Sequence, residues 1–362
     1  MNLRIPGPTP VPEDVLQASA AQMINHRGPE FKELIGRVTD GLKHVYATEE
    51  DVFILTCSGT GAMEATVVNM LSPGDHVLNV SIGVFGDRFA QISEAYGAKV
   101  TRLEFEWGTS ADPDKVREVL NQNPDIYAVS VTHNETSTGV TNDLESIAAV
   151  VKGEFGKLLL VDGVSSVSSI PLLTDKWHCD VVATGSQKGW MAPPGLAFNS
   201  VSPEAWQAYE KATMPRFYFD FGKAKQYLKN GQNPWTPAVS VMYAMDAALE
   251  KILAEGMANV YERHASIAQM TRDGMKALGL ELFTSAADAS NTVTAIKVPE
   301  GVECAELVRR MRTEYQTVIA PGQGRLTPDI FRIGHMGYAR EEDIKGLLDA
   351  LADLLPKLGF KR

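Results

Sequence analysis

Residues 158–189 read LLLVDGVSSVSSIPLLTDKWHCDVVATGSQKG, and two apolar runs within or bordering them, 157–161 and 181–184, each empty into polar residues. Both runs are short, rich in Leu and Val and bounded by Gly, Ser or Asp. Strands buried on both faces of a sheet read this way. Asp162 closes the first run, and Gly185-Ser186-Gln187-Lys188 follows the second. The same texture recurs upstream at 52–55, 76–81, 100–104 and 126–132, with helical spacing at 31–46, 61–71 and 144–155 between the runs. Strands separated by helices need crossover connections, so the expected fold is α/β with a mainly parallel sheet.

Beyond Trp235 the texture changes. Helical spacing over 239–278 breaks near Gly256, and short strand-like runs follow at 280–284 and 292–298. A helix over 304–315, a strand at FRIG (331–334) and a closing helix from about 340 complete a second, α+β region. The expected division is an N-terminal arm over 1–20, a large domain over 21–254 and a small C-terminal domain over 255–362.

The net charge is −11 and no block of Lys and Arg occurs, which argues against a nucleic-acid or anionic-membrane surface and for small-molecule chemistry. Cys57, Cys179 and Cys304 lie far apart, without the paired spacing of a zinc site, and suit a reducing cytoplasm. The opening MNLRIPGPTPVPEDV breaks with prolines where a secretory signal needs an apolar core. No later run is long enough to span a bilayer, and the closing GFKR is no targeting address.

Open parallel sheets bind ligands at the carboxyl ends of their strands, so the polar residue after each run is the informative one. The run at 52–55 leads into Ser58-Gly59-Thr60-Gly61, a small-residue turn opening a helix. Free amides and the helix dipole suit a phosphate there, although Ser58 or Thr60 as a plain helix cap explains the same residues. Glu64 stands where a dinucleotide-binding loop has its third glycine, which argues against that fold. Asp162 is a carboxylate at the mouth of a buried strand. It suits a cation such as a protonated pyridine nitrogen, or a local cap beside Ser165. A lone lysine is ordinarily solvated, but Lys188 follows the next strand in sequence, so both residues open onto one cleft. A partly desolvated amine there forms an imine with an aldehyde. The run at 126–132 ends in His133-Asn134-Glu135-Thr136-Ser137-Thr138-Gly139. Thr136 is placed to reach a ligand oxygen, and His133 reads equally as a structural or a catalytic residue.

Taken in order, PGPTPVP (6–12), SGTG (58–61), HNETSTG (133–139), LLLVDGVSS (158–166), GSQKG (185–189), PPG (193–195), NPWTPAVS (233–240) and FRIGHMG (331–337) resemble the class V aminotransferases of the alanine–glyoxylate and serine–pyruvate type. The resemblance covers nearly the whole chain. It implies the type I fold of pyridoxal-phosphate enzymes, with a seven-stranded-type sheet in the large domain. It further implies that Lys188 carries the cofactor and moves the proton, that Asp162 pairs with the pyridinium nitrogen, and that Gln187 lies near the phosphate. Ser58, Gly59 and Thr60 match the phosphate cradle, and Thr136 the neighbour of the ring oxygen. Thr236 matches a threonine given across a homodimer, and Arg332 the arginine that grips the substrate carboxylate. Phe85 stands where several relatives stack a tryptophan on the ring. It reads as a smaller stacking group or as core packing. Asn233 stands where some relatives have a phosphate-reaching tyrosine, which leaves it without an assigned contact.

The reaction so implied is amino transfer from alanine or serine to glyoxylate or pyruvate through pyridoxamine phosphate. One carboxylate-binding arginine and no evident second cation favour small uncharged donors. Lys211, Arg216, Lys223 and Lys225 stand as candidates for a second cation. The rivals are an aspartate or 2-aminoethylphosphonate aminotransferase, a cysteine desulfurase, which needs a mobile nucleophilic cysteine, and a catalytically dead subunit.

Overall fold

The computed structural model describes residues 1–361. Its centre is a seven-stranded sheet of β1 (Asp51–Leu55), β2 (His76–Ser81), β3 (Lys99–Glu104), β4 (Ala128–Thr132), β5 (Leu158–Asp162), β6 (Val181–Gly185) and β7 (Ala197–Val201). The strands lie in the order β1-β7-β6-β5-β4-β2-β3. All neighbouring pairs are parallel except those of β7, which runs antiparallel to both β6 and β1. Six of these strands are the predicted runs, shifted by a residue or two. The seventh, AFNSV, is hidden in the sequence by its polar residues. Asn199 is nevertheless fully buried, with its side-chain amide donating to Ala62 O and Thr66 Oγ1, each at 3.0 Å. Residues 186–196 are too short a link for a crossover helix, so β7 returns antiparallel.

The pleat divides the apolar strand residues between two cores. Ile54, Val131, Leu159, Val161 and Val182 join one face with Phe31, Tyr46, Trp190 and Met242, while Phe53, Leu55, Leu160 and Ala183 join the other with Met63, Phe89 and Phe221. Because both faces are covered, polar side chains find solvent or a ligand only at the strand ends. The flanking helices used below are α1 (Glu13–Ser19), α2 (Pro29–Tyr46), α3 (Gly59–Met70) and α4 (Val84–Ala95). The helical spacing expected at 144–155 is divided into an α-turn, Leu144–Ala148, and a wider π-type segment, Ala149–Glu154.

The break expected near Gly256 is real: α5 (Val239–Glu255) and α6 (Met257–Ala277) meet at Gly256, whose φ of 80° suits glycine. Downstream, β8 (Val293–Lys297), β9 (Ala320–Pro321) and β10 (Ile330–Gly334) form an antiparallel sheet in the order β8-β10-β9, covered by α7 (Cys304–Tyr315) and α8 (Glu341–Lys357). The run at 280–284 is not a strand; it meets β8 over one isolated bridge, Leu282 to Ile296, flanked by Phe283 N–H on Ala295 O at 3.0 Å and Lys297 N–H on Glu281 O at 2.9 Å.

The N-terminal arm joins this sheet to the loop of Gln187 and Lys188. Asn2–Leu3 pairs in parallel with Thr317–Val318, and Gly334 N–H donates to Arg4 O at 2.8 Å. The chain then crosses so that Thr9 N–H reaches Gln187 O at 3.0 Å and Thr9 Oγ1 reaches Lys188 O at 2.8 Å. A methyl group on Gly334 would collide with the Ile5 backbone. Gly334→Ala is therefore expected to lift the arm from β10, lowering the thermal midpoint by on the order of 5 °C and exposing residues 1–10 to limited proteolysis. Unchanged melting and cleavage would show that the arm does not depend on this approach.

Candidate active site

A cavity of about 300 Å³ opens at the carboxyl ends of the strands, and its lining includes Gly7, Pro8, Ser58, Thr60, Phe85, Arg88, Asn134, Thr136, Asp162, Ser165, Gln187 and Lys188. Sheet order is what gathers them. β4, β5 and β6 are neighbours, with Thr132 in register with Asp162 and Asp162 with Ala183, so three loops distant in sequence discharge side by side.

Asp162 accepts Val164 N–H at 2.9 Å and lies 3.3 Å from Thr132 Oγ1, which leaves it without an ion-pair partner among the described residues. The local-cap reading is thus half right, through Val164; the Ser165 hydroxyl turns instead to Asn134 O at 2.7 Å. Burial raises the Asp162 carboxyl to about 7, against the opposing pull of Val164 N–H. Lys188, partly buried, donates to Pro6 O at 2.7 Å. Burial lowers its amine to about 8, and the Asp162 charge works against that shift. A carboxyl raised and an amine lowered toward neutrality in one cavity are the marks of a site built for proton transfer.

α3 begins at Gly59 after Ser58, whose side chain makes no capping bond. The first amide of this helix with a backbone acceptor is that of Ala62, on Ser58 O at 3.2 Å, so the amides of Gly59 and Thr60 stand free at the cavity wall. This favours the anion-binding reading of the turn over the plain cap. A methyl group on Gly185 would sit 3.0 Å from Gly59 N and 2.9 Å from Gln187 Oε1, so glycine is what lets these chains close together. Gln187 Oε1 is itself buried without a hydrogen-bond partner.

Phe85 lies at the start of α4 and lines the cavity, which favours the stacking reading. Thr136 lines it from the loop after β4. Arg332 stands behind Thr136 rather than on the cavity wall: its guanidinium donates to Thr136 O and Pro321 O, each at 2.9 Å, and to Gln323 Oε1 at 3.3 Å. Thr236 is exposed and outside the cavity of its own chain, and Asn233 turns its amide to Ile54 O at 2.8 Å. His133 is buried beside Trp177, outside the lining, with burial lowering it to about 4, so the structural reading holds.

None of the four cations proposed from the central segment reaches the cavity. Arg216 is spent on Val68, Ala212 and Tyr209 carbonyls, and Lys225 pairs with Asp51. Lys223 lies over the Phe217 ring, and Lys211 lines a separate hollow with Asp125 and Glu204. The second cation is Arg88, which sequence reading passed over. Its guanidinium donates to Thr60 Oγ1 at 3.2 Å and lies over the Phe85 ring at 4.7 Å. Its position one helical turn from Phe85 was the available signal. Gly7 and Pro8 were also missed as site residues, because nothing local to the arm says where it docks.

These shifts fix a pH dependence for the cofactor-free chain. Asp162 binds its proton more tightly folded than unfolded, so the stability it lends below its ordinary 3.8 is lost as pH rises through about 7. Lys188 acts oppositely, with stability gained from about 8 toward its ordinary 10.5. Asp162→Asn should remove this contribution, so that between 3.8 and about 7 the variant's thermal midpoint gains more, or loses less, with rising pH than the wild type's; an unchanged pH profile would contradict the assignment.

A family model described as aminotransferase class V matches residues 3–346. The chain is 44% identical over 361 residues to a Synechococcus protein named soluble hydrogenase, small subunit, spanning 99% of this chain and 94% of that one. It is 39% identical over 339 residues to the L-aspartate–glyoxylate aminotransferase of Paracoccus denitrificans, spanning 92% and 85%. Among solved structures it is similar to alanine–glyoxylate aminotransferase from Nostoc sp., with a TM-score of 0.94 and 31% identity over 98% of this chain and 95% of that one. Pyridoxal phosphate is the cofactor implied, and the residues fit it: free amides at the α3 turn for the phosphate, an unpaired carboxyl for the ring nitrogen, and a lowered amine for the aldehyde. By that match and these relatives, the chain belongs to the class V aminotransferases, enzymes that work with pyridoxal phosphate.

Proposed function

We propose that this aminotransferase moves the amino group of a small uncharged donor, alanine or serine, to glyoxylate or pyruvate. The observation that carries the reading is the pairing of Lys188 and Asp162 in one cavity, each shifted toward neutrality by burial. Pyridoxal phosphate, when bound, supplies an aldehyde for the amine and an electron sink for charge at the substrate α-carbon. Asp162 holds a proton on the ring nitrogen. Lys188 Nζ, its amine lowered by burial, would accept the proton leaving the substrate α-carbon and give it back to the product. The Gly59 and Thr60 amides with Ser58 and Gln187 would hold the phosphate, and Phe85 and Thr136 would bound the ring. Arg332, behind Thr136 with Nε and Nη1 on Pro321, Thr136 and Gln323, would offer its remaining Nη2 to the donor's carboxylate.

Arg88 bears on the choice of donor. It rests on Thr60, at the turn assigned to the phosphate, so a second carboxylate on the donor would compete with the phosphate for it. That supports alanine or serine over the aspartate named for the Paracoccus relative. A desulfurase is disfavoured because burial and Glu64 raise the Cys57 thiol to about 12, leaving no thiolate near neutrality, and Cys179 and Cys304 are buried. The Synechococcus name gives a second reading, a subunit of a larger hydrogenase. The purified chain alone decides between them. With alanine or serine it should convert bound cofactor to pyridoxamine phosphate in a single turnover, and Lys188→Ala should lose at least about 10³-fold. Fast turnover confined to dicarboxylic donors would displace the donor assignment, and an inert wild type would favour the subunit.

We also place the enzyme in the cytoplasm as a homodimer. Three unpaired cysteines support the compartment, and among the described residues no helix is long and apolar enough to cross a membrane. Phe217 is 68% and Tyr218 43% exposed; both stack on Trp235, beside the exposed Thr236. This aromatic ridge is the surface we assign to the second copy, whose Thr236 would then reach the phosphate. Sedimentation should show dimers, and Phe217→Asp should yield monomers that bind the cofactor more weakly. A monomeric wild type with full affinity would end this reading.

A further inference from the structure

Glu135 has no part in the mechanism above, yet no carboxylate among the described residues is more enclosed, with 0% of it exposed. Its Oε2 accepts the N–H groups of Phe85 at 2.9 Å and Gly86 at 3.1 Å. Its Oε1 accepts Ser137 N–H at 2.9 Å and the Ser137 hydroxyl at 2.7 Å. Ser137 Oγ in turn accepts Val84 N–H at 3.0 Å. The first three amides of α4 are therefore capped by a loop from the end of β4, while Gly83, the residue at the helix's own cap position, offers no side chain. A methyl group on Gly83 would lie 2.5 Å from Glu135 Cγ, so glycine makes the room. The main-chain partners can only donate, and the acceptor geometry suits an ionised carboxylate placed at a helix N-terminus.

This cap ties together parts of the site that do not touch one another. On one side it fixes the backbone of Phe85, whose ring lines the cavity. On the other, the next residue is Thr136, which lines the cavity and whose carbonyl accepts Arg332 Nη1 at 2.9 Å. Glu135 itself is not part of the lining. We infer that Glu135 is a positioning residue: its carboxylate sets the spacing between Phe85 on the face of the cofactor ring and Thr136 at its edge, without contacting cofactor or substrate. Its charge also opposes the burial shifts of Lys188 and Arg332. The inference rests on the reading that the cavity takes pyridoxal phosphate.

Glu135→Gln tests it, because an amide keeps the shape but has one acceptor oxygen where the site presents donors to two. Pyridoxal phosphate is titrated into the cofactor-free wild type, Glu135→Gln and Ser137→Ala, following the visible circular dichroism of the bound cofactor. The thermal midpoint is measured without cofactor, and kcat and KM with it. Glu135→Gln should raise the Kd for pyridoxal phosphate about tenfold or more, weaken the visible dichroism and lower kcat more than it raises the donor KM. Ser137→Ala should move the same quantities in the same direction by less, and it decides the matter alone should Glu135→Gln not fold. Variants that melt earlier yet keep the wild-type Kd, dichroism and kcat would reduce Glu135 to a helix cap and overturn the inference. A wild type that binds no pyridoxal phosphate would overturn the underlying reading, and this inference with it.

Discussion

Burying a carboxyl and an amine in the same cavity is unfavourable for both charges, and the structure is arranged around that cost. Asp162 and Lys188 sit at the ends of adjacent strands of a sheet covered on both faces, where water is scarce and an ion-paired partner for the acid is absent among the described residues. A surface helix or a flexible loop would let either group rotate into solvent. The end of β5 and the turn after β6, tied to Thr9 of the arm, do not, so each group is held away from its preferred charge state, and a ligand that supplies the missing counter-charge gains binding energy.

The surrounding elements serve that dehydration. The N-terminal arm closes the cavity from above, with Gly7 and Pro8 on its wall and Pro6 O on the lysine. It is held by backbone bonds to β10 and to the loop before Lys188, so the C-terminal sheet and the catalytic loop share one strap. Arg332, reaching from β10 to Thr136 O, links the same C-terminal sheet to the loop after β4. The arm's connection needs close backbone approach, which is why Gly334 meets Ile5, and Gly337 likewise leaves room for the Lys188 carbonyl.

Two charged groups extend the site beyond its first reading. Arg88 brings a cation to the phosphate turn through Thr60, and Glu135 brings a buried anion to the base of α4. Neither residue looks functional in the sequence: one lies within a helical run and the other within a run of small polar residues. Each acquires meaning from a neighbour more than twenty residues away along the chain.

The sequence by itself determined the strands and the chemistry at their ends. Short runs such as LLLV and VVAT, bounded by Gly, Ser or Asp, suit a doubly covered sheet, and Asp162, Lys188 and the SGTG turn lie just beyond such runs. It also determined the glycine at the break between α5 and α6, because the backbone there adopts a positive φ. Tertiary structure alone decided the rest. AFNSV became a strand because its Asn and Ser found buried partners, whereas the run at 280–284 meets β8 over a single bridge, at Leu282, and does not extend as a strand. The arm's docking, the retreat of Lys211, Arg216, Lys223 and Lys225 from the cavity, and the arrival of Arg88 depend on contacts between distant segments. Local pattern records which backbone a residue prefers; it carries no record of which distant group will meet its side chain.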